Sequence, residues 1–291
     1  MFTIIGILIV IGAIVGGYLM EHGNLAVLFQ PAELVIIGGA ALGTLFIANP
    51  MKTIAAIFKG LIGTLTGSRF SKAYYLEHLK MLNELFNHAR KSGLMKLEED
   101  VDAPEKSPIF SKYPKFLKDR RACNFFCDTL RMSISGGVSA FDVDQLMEID
   151  LEVHHAESQE PISALNAVAD SLPGLGIVAA VLGVIITMGS IAGPPEEVGQ
   201  KVAAALVGTF LGILLCYGFL GPFAANMTKQ NEAEAQYYGF LRTGISAYLK
   251  GAAPMLAVES SRRAIPHAVR PSFQDMEKAC KVGPSAEAAA A

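Results

Sequence analysis

Four long stretches of the chain carry no Asp, Glu, Lys or Arg: residues 2–20, 34–51, 171–195 and 202–228. A helix rises about 1.5 Å per residue, so about 20 residues cross a hydrocarbon core of roughly 30 Å. Each stretch is long enough, or nearly so. The pattern predicts membrane helices over residues 1–20, 33–51, 171–194 and 202–228, with Glu33 at the edge of the second. The first could be taken for a secretion signal. It lacks a basic leader and a small-residue cleavage site and outruns an ordinary signal core, so it is expected to remain as a mature helix.

Between the second and third spans the pattern changes to amphipathic. Tyr75, Leu79, Leu82, Phe86 and Ala89 fall on one helix face. Gly93 interrupts, a helical style resumes over 94–101, and Pro104, Pro108 and Pro114 mark irregular passages. Phe125, Phe126, Leu130 and Ile134 predict a buried helix that stops at Gly136 and Gly137. Ser139 followed by Asp142 can cap a further helix, striped by Leu146, Ile149, Val153 and Ala156. That helix is expected to run through Pro161 into the third span and to project below the membrane. After Lys229, Tyr237, Leu241, Ile245 and Tyr248 give another stripe, and residues 285–291 read as a frayed end. The fold class is therefore all-α: four transmembrane helices, a helical cytoplasmic domain over 52–170, and a cytoplasmic helix and tail over 229–291.

Basic residues orient this arrangement. Residues 21–33 contain no Lys or Arg, and the connection between the third and fourth spans contains only Lys201. Residues 52–170 contain fifteen and the tail after Thr228 eight. Near the membrane, Lys52, Lys59 and Arg69 follow the second span and Lys229 the fourth. The positive-inside rule puts both termini and the long loop in the cytoplasm of a bacterial-type inner membrane. The net charge of −3 names no partner class, and no nucleic-acid partner is expected. The four cysteines, Cys123, Cys127, Cys216 and Cys280, have no metal or redox spacing and read as small core residues.

Small residues recur four apart at Gly12 and Gly16, Gly39 and Gly43, and Gly208 and Gly212, which favours close helix association in an oligomeric bundle. Pro173 and Pro222 lie near the inner ends of the third and fourth spans. Each removes a helical hydrogen bond; an ordinary kink and a moving hinge are both open. The spans hold no acidic, basic or His side chain at mid-depth. Their polar groups are Thr44, Thr187, Ser190, Thr209 and Tyr217. A lone Thr either bonds back to its own helix or lines a wet path. Hydroxyls do not take up and release protons near neutral pH. An ion pathway built here therefore needs its titrating carboxylate from another chain. In the long loop, Arg90, Lys91, Lys96, Glu98, Glu99, Asp100 and Asp102 cluster around Gly93, as a solvated surface or as an electrostatic contact with another protein.

Longer motifs carry a family resemblance. The run Ala205-Leu-Val-Gly-Thr-Phe-Leu-Gly-Ile-Leu with Pro222 beyond it resembles the signature of the MotA-type flagellar stator family. Asp170-Ser-Leu-Pro-Gly-Leu-Gly-Ile-Val-Ala-Ala-Val-Leu-Gly resembles its third-span motif. Gln30-Pro-Ala-Glu-Leu-Val-Ile-Ile resembles the opening of its second span, and Arg90-Lys-Ser-Gly-Leu-Met-Lys-Leu-Glu-Glu its rotor-facing motif. The resemblance implies a pentamer around two copies of MotB, which supplies the titrating Asp and the cell-wall anchor. It implies torque on the rotor protein FliG. It makes Pro173 and Pro222 the coupling residues, Thr209 the hydroxyl beside the partner carboxylate, Asp170 a candidate at the inner mouth, and Arg90 and Glu98 rotor contacts. Sodium-driven relatives carry a Thr seven residues after the third-span proline, where this chain has Ala180. One oxygen fewer favours protons over sodium, and no cofactor is implied.

An ExbB- or TolQ-like energiser of outer-membrane processes shares the chemistry of the last two spans, but the hairpin over 2–51 and the Arg90–Glu98 motif speak against it. A self-contained channel or transporter would show an intramembrane charge or a broken-helix repeat. An enzyme is not expected: His154-His155 with Glu152 and Glu157 lacks zinc-site spacing and reads as the polar face of the long helix. No catalytic, metal or cofactor site is predicted.

Overall fold

The computed structural model describes residues 2–189 and 191–281, and among them all regular secondary structure is helical. Ser190 and residues 285–291, which entered the sequence reading, lie outside the described residues. In chain order the helices are α1 (Phe2–Met20), α2 (Leu25–Leu28), α3 (Pro31–Ala48), α4 (Met51–Thr66), α5 (Lys72–Ser92), α6 (Leu94–Asp102), α7 (Pro114–Lys118), α8 (Arg120–Ile134), α9 (Ala140–Met188), α10 (Pro195–Ile213), α11 (Gly221–Leu249), α12 (Pro254–Ala264) and α13 (Phe273–Lys281). A π-helical segment, Leu214–Leu220, joins α10 to α11. The chain divides into two compact units, Met1–Gly67 with Ala156–Asn231, and Ser68–His155 with Glu232–Ala291.

The first unit holds four helical stretches long and apolar enough to cross a membrane: Phe2–Met20, Leu25–Ala48, and the apolar parts of Ala140–Met188 and Pro195–Leu249. The second stretch begins with the short helix α2 and a Pro at the first position of α3, and α3 stops at Ala48 because Pro50 follows. α1 buries no residue, so its Phe2, Leu8 and Ile9 face lipid or neighbouring protein. The interior is small: Ile37, Ala41, Ala169, Leu172, Ala179 and Cys216 form one apolar cluster, and Leu45, Ile54, Ile57, Ile162, Leu165, Ala224 and Met227 another. Side-chain amides and hydroxyls tie the far end of this unit. Thr53 donates to Glu160 at 2.8 Å, Thr3 to the Thr64 carbonyl at 2.9 Å, and Asn231 to Gln159 at 3.3 Å.

The second unit has a conventional, densely aromatic core. Tyr75, Leu79, Leu82 and Phe86 of α5 pack with Phe110, Phe116, Phe126, Tyr237, Phe240, Leu241 and Ile245. The helix stops fall where glycine permits a left-handed backbone: Gly93 has φ +85°, Gly136 +81° and Gly137 +85°. Ser139 and Asp142 form a reciprocal cap at the start of α9, the Asp142 N–H donating to Ser139 Oγ at 3.1 Å. α9 then continues unbroken past Pro161 and Pro173.

Candidate functional site

The centre of the membrane unit is the crossing of α9 and α10. Three glycines let the two backbones touch. A Cβ on Gly176 would lie 2.8 Å from the Gly208 carbonyl oxygen, and one on Gly212 would lie 2.5 Å from the Leu172 carbonyl oxygen and 2.9 Å from Gly176 Cα. Of the three glycine pairs in the sequence, only Gly208 and Gly212 are used this way. Gly12, Gly16, Gly39 and Gly43 meet nothing within 4 Å.

Thr209 is half-buried on this crossing, one residue from Gly208. Its hydroxyl makes no hydrogen bond among the described residues, whereas Thr44 donates to the Ala41 carbonyl and Thr187 to the Gly183 carbonyl. Thr209 thus departs from the ordinary helical threonine in keeping its hydroxyl free for another partner. Ala180 lies on the same crossing: its backbone nitrogen is 3.2 Å from where a Cβ of residue 208 would be.

The two prolines sit in different settings. Pro173 is half-buried within α9, and its ring removes the donor that would reach the Ala169 carbonyl. Pro222 is exposed and opens α11 directly after the π-helical segment. There the Gly221 N–H bonds to the Cys216 carbonyl, five residues back. The wider π turn relieves the clash that a proline ring makes with the carbonyl four residues earlier, here Gly218. Asp170 is exposed, three residues before Pro173, and makes no ion pair among the described residues.

Glu33 is the functional candidate that sequence reasoning placed at the margin and the fold places inside. It is 7% exposed and packs between α3, α9 and α10. The sequence put Glu33 at the edge of the second span, and the fold buries it there in the first turn of α3. The only signal was the charge itself, three residues into a helix whose Pro31 start sets it one turn deep.

In the second unit, Arg90 ends α5 and Glu98 lies on α6, across the Gly93 turn. Both are exposed and neither forms an ion pair among the described residues. The neighbouring charges are engaged: Lys96 with Glu99 at 2.9 Å, Arg131 with Asp102 at 2.6 Å, and buried Asp100 with the Ser107 hydroxyl at 2.6 Å. α6 is pinned on α8 by Arg131 and by buried Leu97 and Val101, so Arg90 and Glu98 are held out from a rigid base. Arg90 also borders a cavity of about 510 Å³ with Leu97, Leu130, Val143 and Tyr248. Burial pushes the Tyr248 phenol up, against the opposing influence of the Arg90 charge.

His154 is not part of a solvated face. It is turned inward on Tyr238, ring centroids 4.8 Å apart, while His155, Glu152 and Glu157 are exposed. His78 is fully buried, has its Nδ1 2.6 Å from the Tyr74 carbonyl and packs against Phe116 and Tyr237. Burial pushes its pKa down. Neither was legible as buried from its neighbours in sequence. Among the described residues no three His, Cys, Asp or Glu side chains are grouped to hold a metal.

Comparison with known proteins bears on this geometry. Residues 4–93 match the family described as motility protein A N-terminal, and residues 118–239 match the MotA/TolQ/ExbB proton channel family. The chain is 40% identical to motility protein A of Escherichia coli over 96% of its own length and 94% of the relative's. It is 36% identical to chemotaxis protein LafT of Vibrio parahaemolyticus, covering 94% and 96%. Its fold is similar to that in the structure of C. jejuni MotAB, with a TM-score of 0.76 at 20% identity, covering 93% of this chain and 98% of that one. The flagellar MotAB stator complex from Bacillus subtilis gives 0.71 at 24% identity, covering 88% and 92%.

Proposed function

We propose that this chain, which belongs to the MotA/TolQ/ExbB proton channel family among the motility A proteins, is a stator subunit that works with a MotB-type partner as a proton-driven torque generator. The observation that carries this is the α9–α10 crossing: backbones in contact at Gly176, Gly208 and Gly212, and a free Thr209 hydroxyl beside them. Pro173 and the π segment before Pro222 flank it on the two helices. Such a crossing can shift without tearing apart side-chain packing, because few side chains hold it.

In this reading the partner's Asp takes up the ion beside Thr209, and Pro173 and Pro222 convert its release near Asp170 into movement. Ala180 leaves one oxygen fewer than a sodium site wants, which supports protons. Five copies surround the partner, consistent with an α1 that buries nothing and with four unused glycines on α1 and α3. Lys52, Lys59, Arg69 and Lys229 support an inner-membrane orientation with both termini cytoplasmic. Arg90 and Glu98 then meet the rotor protein FliG. The work is ion transport, not enzymatic turnover. The N-terminal family match over 4–93 favours a stator over an ExbB- or TolQ-like energiser.

Co-expression with the partner is expected to give a proton conductance that the chain alone lacks. Conductance from the purified chain by itself would overturn the need for a partner carboxylate and favour a self-contained channel.

A further inference from the structure

Among the described residues, Glu33 is the only buried carboxyl in the unit formed by Met1–Gly67 and Ala156–Asn231. Its Oε2 is sealed from solvent and has no hydrogen-bond partner. That oxygen lies 2.6 Å from the place a Cβ on residue 208 would take, so the carboxyl occupies the space that glycine leaves on α10. Oε1 lies 3.6 Å from the corresponding position of Gly183 on α9. The next residue after its cradle is Thr209, with its unbonded hydroxyl.

A carboxyl kept only for stability would be paired, because burying one without a partner costs free energy. The elements packed on Glu33 bring it no ion pair. α9 carries no charge from 171 to its end at Met188, and the Glu33 carboxyl lies against Gly183 of α9 and Gly208 of α10. Ionisable groups inside membrane spans mark ion paths far more often than they mark packing.

We propose that Glu33 is a proton-relay carboxyl belonging to this chain, holding a proton at the Gly208 cradle and passing it by way of Thr209 to the partner's carboxylate. The inference rests on the stator reading above. In the step, the O–H bond of the Glu33 acid breaks as an O–H bond forms on the partner carboxylate. Glu33 is left as a carboxylate and regains a proton from hydronium on the side of the connection between α1 and α3. No group is oxidised or reduced. Thr209 hands on one proton as it accepts another, so it ends unchanged.

The test uses the full complex with its partner in liposomes, read as proton uptake. Glu33→Gln keeps the shape and removes the acid. It is expected to lower the flux about tenfold or more, the scale of a lost proton-transfer group, while Glu33→Asp retains more flux than Glu33→Gln. Flux within about twofold of wild type in Glu33→Gln would overturn the relay. Should the Gln variant not assemble, the wild-type complex still decides. Dicyclohexylcarbodiimide adds to protonated carboxyls in apolar sites, and peptide mass spectrometry is expected to find its adduct on Glu33, forming faster as the bath is acidified. Modification of the partner's carboxyl with none on Glu33 at any pH would overturn the relay. A wild-type complex that carries no protons would count against the stator reading itself, and the labelling would still report on Glu33.

Discussion

Gly176 and Gly208 meet backbone to backbone: a methyl group on Gly176 would sit 2.8 Å from the Gly208 carbonyl oxygen. Neither helix can yield without shifting its axis, since the contact on the far side is main chain, not a flexible side chain. Gly176→Val is therefore expected to push α9 and α10 apart at an overpacking cost of about 1–3 kcal/mol. Ion flow should fall more than complex yield does, because the separation falls beside Thr209. Equal flux per assembled complex in the variant and the wild type would contradict the crossing's role.

Arg90 and Glu98 stand unpaired on the rigid base that Arg131 and Leu97 give α6, while Lys96 and Glu99 neutralise each other. Arg90→Glu and Glu98→Lys should each slow swimming while leaving the amount of membrane-assembled protein unchanged. Lys96→Glu should have less effect on speed, since that charge is already spent on Glu99. Swimming speeds unaltered by both reversals would remove the rotor-contact assignment.

His78 is expected to make the second unit sensitive to acid. The Tyr74 carbonyl can only accept, so Nδ1 carries the hydrogen and Nε2 is left buried without a partner. Burial lowers the folded-state pKa below the unfolded value of about 6.5. The unfolded chain then binds more protons, so the stabilisation is complete above that pH and declines as pH falls from it toward the folded pKa. The opening free energy of the α5 amides, taken from exchange rates divided by the intrinsic rate at each pH, should fall on acidification from neutral pH, and His78→Leu should flatten that dependence. An unchanged profile in the variant would place the acid sensitivity elsewhere.

The four spans were legible because each is a run of charge-free residues, and no soluble packing requires that. The breaks at Gly93 and at Gly136 and Gly137 were legible because a helix ends where only glycine adopts a positive φ cheaply. The passage of α9 through Pro161 and Pro173 was also readable, from the apolar stripe on both sides. Other features depend on contacts distant in sequence. The depth of Glu33 depends on Gly183 and Gly208, more than a hundred residues away, leaving it room. The π segment Leu214–Leu220 has no periodicity of its own; it is the backbone's response to Pro222. His154 read as part of a polar face because its aromatic partner, Tyr238, comes from α11, and nothing near His78 in sequence pointed to Tyr237 beside it.

In the proposed reading, Thr209 and Ala180 bear on which ion the crossing suits. A dehydrated sodium ion needs several oxygen ligands, whereas a proton needs a carboxyl and a hydrogen-bonded path. At this crossing Thr209 offers one free hydroxyl and Ala180 none. Cells carrying the wild-type chain should swim at undiminished speed when sodium is replaced by potassium, and stop when the proton gradient is collapsed. Thr209→Val keeps the volume and removes the oxygen, so it should cut proton flux without loss of assembly, while Thr209→Ser should retain most of it. Ala180→Thr adds a hydroxyl to α9 at the residue whose backbone nitrogen lies beside Gly208. On its own it should not create sodium dependence, because one added hydroxyl still leaves fewer oxygens than a dehydrated sodium ion needs. Paralysis of the wild type in sodium-free medium would overturn the proton assignment and make Ala180 irrelevant to ion choice.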